Sequence, residues 1–170
     1  MGTTNSDLIT NIVASPTVLN DVGVDGGRLR IKAGTVSLSS GVFDDNDIIR
    51  LARFDVKNRI MAILMDTDAI DGGDTLDMNC GLYKTDGTVV DVDAYAKDVK
   101  GWHAAKSLFS ENYAFEARAL NAIEQRIWED AGLDSVPSYG EMDVCWTVNT
   151  GVGSFQSSST MHFMILYTED

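Results

Sequence analysis

The chain has 170 residues, enough for one domain with a sizeable core, and its apolar share of 44% is ordinary for a globular protein. A formal net charge of −13 disfavours binding to nucleic-acid phosphates or anionic lipid through a general field. Two cysteines, Cys80 and Cys145, do not make a secreted disulfide framework.

Residues 1–25 are rich in Thr, Asn, Ser, Val and Asp around Pro16 and show no sustained period. They lack the basic and apolar regions of a signal peptide, and no run approaches a membrane span, so cytoplasmic synthesis is expected. The segment reads as an N-terminal arm ahead of a domain over residues 26–170. Leu8, Ile9, Ile12 and Val13 give it apolar docking groups. Two readings stay open: the arm packs on its own domain, or it reaches a neighbouring subunit.

Strands are predicted next, at about 28–32, 35–38, 47–53, 59–65, 75–83 and 88–92. Leu29 and Ile31 alternate with Arg28, Arg30 and Lys32, which predicts the two apolar residues inside and a basic strip outside. Leu76, Met78, Cys80 and Leu82 alternate with Asp77, Asn79, Gly81 and Tyr83. Turns fall at Asp44–Asp47 and Asp71–Asp74, where Asx side chains bond their own backbone. Asp86-Gly87 predicts a tight hairpin with positive φ at both central residues.

The period then changes. Phe115, Ala119, Ala122, Ile123 and Ile127 share one face of an amphipathic helix predicted over 111–131, capped by Ser110 and ended before Gly132. Two more alternating strands follow, Met142–Val148 and Met161–Tyr167, with Val144, Trp146, Phe163 and Ile165 directed to the core. Cys80 is expected in the core and Cys145 on the opposite face of its strand, as reduced thiols, with one cross-strand bridge between them as the alternative.

The chemistry-bearing groups do not converge. Asp66, Asp68, Asp71, Asp74 and Asp77 are dense enough to suggest calcium, but Ile70 and Asp71 stand where an EF-hand needs a ligand and a glycine. An acidic turn without metal is the reading. His103 and His162 lie at no metal-ligand spacing. No nucleophile elbow, phosphate loop or dinucleotide fingerprint appears, so no catalytic or cofactor-binding residue and no cofactor is predicted. Trp102, beside His103, is the one tryptophan expected at the surface, where it could stack on a sugar.

The order of these signals resembles a family of tailed-bacteriophage virion proteins. An arm with a proline precedes Gly27-Arg28-Leu29-Arg30, and Asp47-Ile48-Ile49-Arg50-Leu51 follows. The apolar strand Ile60 to Met65 runs into Asp66 through Asp71. Thr75 to Tyr83 leads to Asp86-Gly87 and Val90-Asp91. Leu133, Tyr139, Met142 to Val148, a Gly/Ser loop and Met164-Ile165-Leu166-Tyr167 close the chain. The succession is similar to head proteins of the capsid decoration, or cement, type. Where many of these carry a Pro-x-Asn turn, this chain has Asp55-Val56-Lys57-Asn58.

The resemblance implies an all-β, jelly-roll-like antiparallel β-sandwich with one amphipathic helix, used in many copies without catalysis. It implies a place on the head exterior, the major capsid protein as partner, and self-association, with a trimer favoured over a dimer. Nucleic acid and membrane are not among the partners it implies. Candidate contacts are Leu8, Ile9, Ile12 and Val13 of the arm and Arg28, Arg30 and Lys32 of the first strand. The competing class is a receptor- or glycan-binding fibre or spike module, with Trp102 and His103 as its cleft.

Overall fold

The computed structural model describes residues 5–20, 27–38, 43–107, 111–156 and 159–169. Helix α1 (Asp7–Val13) is followed by β1 (Leu29–Ser37), β2 (Ile48–Asp55), β3 (Arg59–Thr67), β4 (Asp77–Lys84), β5 (Val89–Val99), the one-turn helix α2 (Ile127–Asp130), β6 (Glu141–Thr150) and β7 (Thr160–Thr168). The strands form two antiparallel sheets, one in the order β1-β7-β3 and one in the order β2-β6-β4-β5. The two strands expected over 28–32 and 35–38 are one continuous β1.

The all-β sandwich expected from the alternating runs is the observed architecture. The chain changes sheet between β1 and β2, β2 and β3, β3 and β4, and β6 and β7, whereas β4, β5 and β6 share one sheet, and Lys106 adds a single antiparallel bridge to Thr67 of β3. If that bridge is counted as the remnant of a strand between β5 and β6, each sheet has four members, as in a jelly roll.

The core lies between the sheets. Leu76, Met78, Cys80, Leu82, Val144, Trp146 and Ile165 are fully buried, and Phe163 nearly so. Each large side chain there contributes about 1.5–3 kcal/mol by leaving water. Trp102, Tyr113 and Trp146 meet at its centre; Trp102 and Tyr113 each present to Trp146 edge-on, at centroid distances of 5.4 and 5.2 Å, an arrangement aromatic quadrupoles favour.

Gly81 is needed where it stands. Strand β5 bulges against β4, and a Cβ on Gly81 would lie 2.2 Å from the carbonyl oxygen of Asp91. Only a residue without a side chain lets the β5 backbone cross there. The Asp86-Gly87 hairpin joins β4 and β5 as expected, but only Gly87 takes positive φ. Asp86 instead accepts the Thr88 N–H through its carboxylate.

The helix expected over 111–131 is replaced by two short 3-10 turns, Tyr113–Phe115 and Leu120–Ala122, and by α2; its expected cap, Ser110, lies outside the described residues. The reason is Arg118, which the amphipathic pattern places on the solvent side. Its side chain is buried against Asp130, with Nε 2.9 Å from Oδ1. Its guanidinium donates to the main-chain carbonyls of Ile60, Ala122 and Gln125. The last two lie within the segment itself, so the guanidinium takes the place of turn-to-turn helical bonding.

The register of β1 is also the reverse of that expected. Leu29 and Ile31 are 58% and 57% exposed, while Lys32 turns toward the interior. The Lys32 stem crosses the rim of the sandwich, its ammonium 4.5 Å from the centre of the Phe54 ring and bonded to the carbonyl of Arg53. A long apolar stem with a charged tip can occupy an inward position at a sheet edge that a short charged side chain could not.

Candidate assembly surface

The outer face of the three-stranded sheet is built from side chains that alternate away from the core. Ile31 of β1 stands opposite Leu166 of β7, which stands opposite Ala62 of β3. The next row is Ala33, Met164 and Leu64, and the third is Thr35, His162 and Asp66. Two apolar rows therefore end on a polar one. The polar row and its neighbours line an open depression of about 500 Å³. Ile31 is the most open of the central groups, while Leu64, Met164 and Leu166 are half-buried.

The sequence carried a signal for this face. The run Ile60 to Met65 does not alternate, and Met164 and Leu166 occupy the side of β7 that the alternation assigns to solvent. Strands apolar on both sides belong to sheets covered on both sides.

The edges of this sheet differ. On β3, Asn112 Oδ1 accepts the Ile63 N–H, Arg118 donates to the Ile60 carbonyl, and Lys106 exchanges both backbone bonds with Thr67. Nothing comparable pairs with the far edge of β1 among the described residues. There the Lys32 ammonium reaches across to the Arg53 carbonyl of β2.

Arg28 and Arg30 are exposed, and Arg30 pairs with Glu169 at 2.8 Å. On neighbouring β2, Arg50 and Arg53 converge on the buried carboxylate of Asp143, at 3.3 and 2.8 Å. The basic side chains expected on β1 thus belong to a larger basic margin running from β1 to β2.

The arm is partly helical rather than extended. Ser6 caps α1 by accepting the Ile9 N–H, a common N-cap arrangement. Leu8 is half-buried, whereas Ile9, Ile12 and Val13 are 47%, 52% and 65% exposed. Spacings of three and four put those three on one helical face.

Trp102, expected at the surface, is fully buried and donates its indole N–H to the Val99 carbonyl. It packs within the aromatic centre and offers a sugar no ring face. Its neighbour His103 does lie outside and pairs with Asp74 at 2.6 Å.

The aspartate cluster scatters in the same way. Asp71 turns inward, and its oxygens accept the backbone N–H groups of Gly73, Thr75, Leu76 and Ser154 and the Thr75 hydroxyl. Burial works to raise its carboxyl, but the backbone donors win and hold it at about 2. Asp68 accepts from the Thr160 N–H, and Asp74 is held by His103. Four of these donors close the 71–76 turn on itself, and the fifth, the Ser154 N–H, ties it to the 151–154 loop at that end of the sandwich.

His162 shares a hydrogen bond of 2.7 Å between its Nδ1 and the Thr35 hydroxyl, and Asp66 lies opposite it in the strand register. The Thr35 hydroxyl therefore fixes the ring, and among the described residues no hydrogen bond joins Asp66 to it. Burial pushes the Cys145 thiol up to about 12 and the Cys80 thiol well above its ordinary value. Both cysteines are unpaired and shielded from water, a poor setting for a nucleophile. No described helix is long and apolar enough to cross a membrane.

The sequence matches no protein-family model and no curated protein. Among solved structures, a chain of the capsid of Ralstonia phage GP4 superposes with a TM-score of 0.52 at 16% identity, over 85% of this chain and 86% of its own. A chain of the cyanophage Pam1 capsid asymmetric unit aligns over 100% of both chains, with a TM-score of 0.46 at 12% identity. The first likeness is one of fold.

Proposed function

We propose that this chain is a virion structural protein which decorates the exterior of a phage head and stabilises the shell by docking at several points. The observation that carries the reading is the fold shared, over most of both chains, with a chain of the GP4 capsid. The surface agrees with it. An exposed apolar helix, an apolar sheet face and a basic margin suit contacts between proteins better than a small-molecule pocket.

In this role the protein has no catalytic part. Its partners are the major capsid protein and further copies of itself, with a trimer as the closed form. Each contact is modest alone, and engaging several capsid subunits at once multiplies their effect.

The test is co-sedimentation of the purified protein with empty heads assembled from the major capsid protein of the same phage. Saturable binding is the expected result. No binding to heads, together with tight binding to a soluble glycan, would replace decoration with a fibre or spike role.

A further inference from the structure

We propose that the free edge of β1 takes an extended acidic segment of a partner protein as an additional strand of the three-stranded sheet. The inference deepens the decoration reading, on which it rests for the presence of a protein partner, by naming the edge that docks and the chemistry of what it receives.

The ladder shows which groups are open. The Leu38 N–H donates to the Ser159 carbonyl, which continues the β1–β7 register one residue past Ser37 and Thr160. Bonded and non-bonded pairs alternate along an antiparallel ladder. Lys32, Gly34 and Val36 therefore bond to β7, while Leu29, Ile31, Ala33, Thr35 and Ser37 direct their N–H and C=O groups at the far edge. Among the described residues no strand lies beyond that edge and no backbone group bonds there. The opposite rim, on β3, is already filled by Asn112, Arg118 and Lys106. A row of open backbone groups is a template for one more strand. In such pairing the main chain supplies affinity and the alternating side chains supply selectivity.

The side chains decide the partner. Arg30 and Lys32, with Arg28 just ahead of the strand, are opposite in phase to Leu29 and Ile31 and line the rim between the sheets. Arg30 pairs with Glu169, but both side chains are about half exposed, and an exposed pair of this kind is weak and readily exchanged. Among the described residues no carboxylate pairs with Arg28 or Lys32. An added strand sets alternate side chains beside these three cations and the others beside Leu29 and Ile31, which are 58% and 57% exposed. The matching sequence alternates acidic and apolar residues. A second copy of β1 fits worse, because it brings Arg28, Arg30 and Lys32 against their own kind. An inward-pointing charge such as Lys32 also guards an edge strand against unselected partners.

The probe is a short end-blocked peptide of alternating aspartate and valine, added to the full chain. It should bind saturably, and hydrogen exchange should slow at the Ile31, Ala33 and Thr35 amides. The same peptide with every backbone N–H methylated should lose binding, and a lysine–valine peptide should not bind. The double variant Arg28→Glu, Arg30→Glu, with the fold checked by circular dichroism, should lose the aspartate peptide and gain the lysine one.

Undiminished binding of the methylated peptide overturns the inference, since charge alone then attracts it. So does exchange that slows on other strands and not on β1. A stable pair of copies that excludes the peptide gives the edge to a second copy and also overturns it. A chain that takes the peptide yet ignores empty heads keeps this inference and loses the decoration reading. One that binds heads and refuses the peptide does the reverse.

Discussion

Arg118 and Asp130 meet inside the sandwich at 2.9 Å, with side chains 3% and 0% exposed. Burial pushes the Asp130 carboxyl up, and the Arg118 charge and the Tyr95 hydroxyl only partly offset this. Removing one partner strands the other charge. Arg118→Ala should therefore cost about 3–5 kcal/mol, read from urea unfolding midpoints. Replacing both residues with apolar ones of similar volume should cost less than the single change. Equal losses would show that the carbonyl bonds of Arg118, rather than the ion pair, hold the 111–131 segment.

Asp71 sets an acid limit on stability. Its folded value of about 2 lies below the ordinary 3.8. The stability it adds is fully present above about pH 4 and is lost as pH falls through the folded value, because the unfolded chain takes up the proton first. Asp71→Asn should be less stable than the parent at pH 6 and should flatten the slope between about pH 4 and 2. A parallel pair of pH–stability curves would refute this.

Because the Asp71 lone pairs are taken by protein donors, calcium should not be needed to hold this turn. Thermal unfolding with calcium and with excess chelator should give the same midpoint. A large drop on chelation would restore the aspartate cluster as a metal site.

Gly81→Ala should destabilise by about 1–3 kcal/mol, the usual cost of forcing atoms into a packed place. The neighbour it meets is β5 backbone, which cannot rotate aside as a side chain could. Trp146→Ala, at the aromatic centre, should cost about 3–5 kcal/mol. Both are read from denaturant midpoints.

Deleting residues 1–25 should weaken self-association and head binding far more than folding, since those residues precede every strand. Retention of full head binding by the shortened chain would move the contact to the basic margin of β1 and β2.

The sandwich was legible because Trp146, Ile165 and the Leu76–Leu82 series keep one phase of their strands toward the core, although β4 and β6 are buried on both sides, which the alternation did not reveal. The period does not say which phase is inside when a strand lies at a rim. β1 satisfies either phase, and Lys32 wins the inner place through its long stem. Helical spacing over 111–131 misled because periodicity counts apolar groups and is blind to a guanidinium that buries itself among carbonyls. Trp102 could not be placed from its neighbours, since its burial depends on Tyr113 and Trp146, distant in sequence. The apolar outer face was present in the letters of β3 and β7, but pairing with β1 was needed to make it one surface.

The unequal edges of the three-stranded sheet give growth a direction and an end. A stack of sheets lengthens only if every member offers one rim to accept a strand and another to donate one. Here the β3 rim is plugged from within by Asn112, Arg118 and Lys106. Along this sheet a molecule can therefore gain a neighbour on the β1 side only, and two such molecules use up each other's opening. Edge-to-edge association along this sheet therefore stops at a pair instead of running on into a fibre.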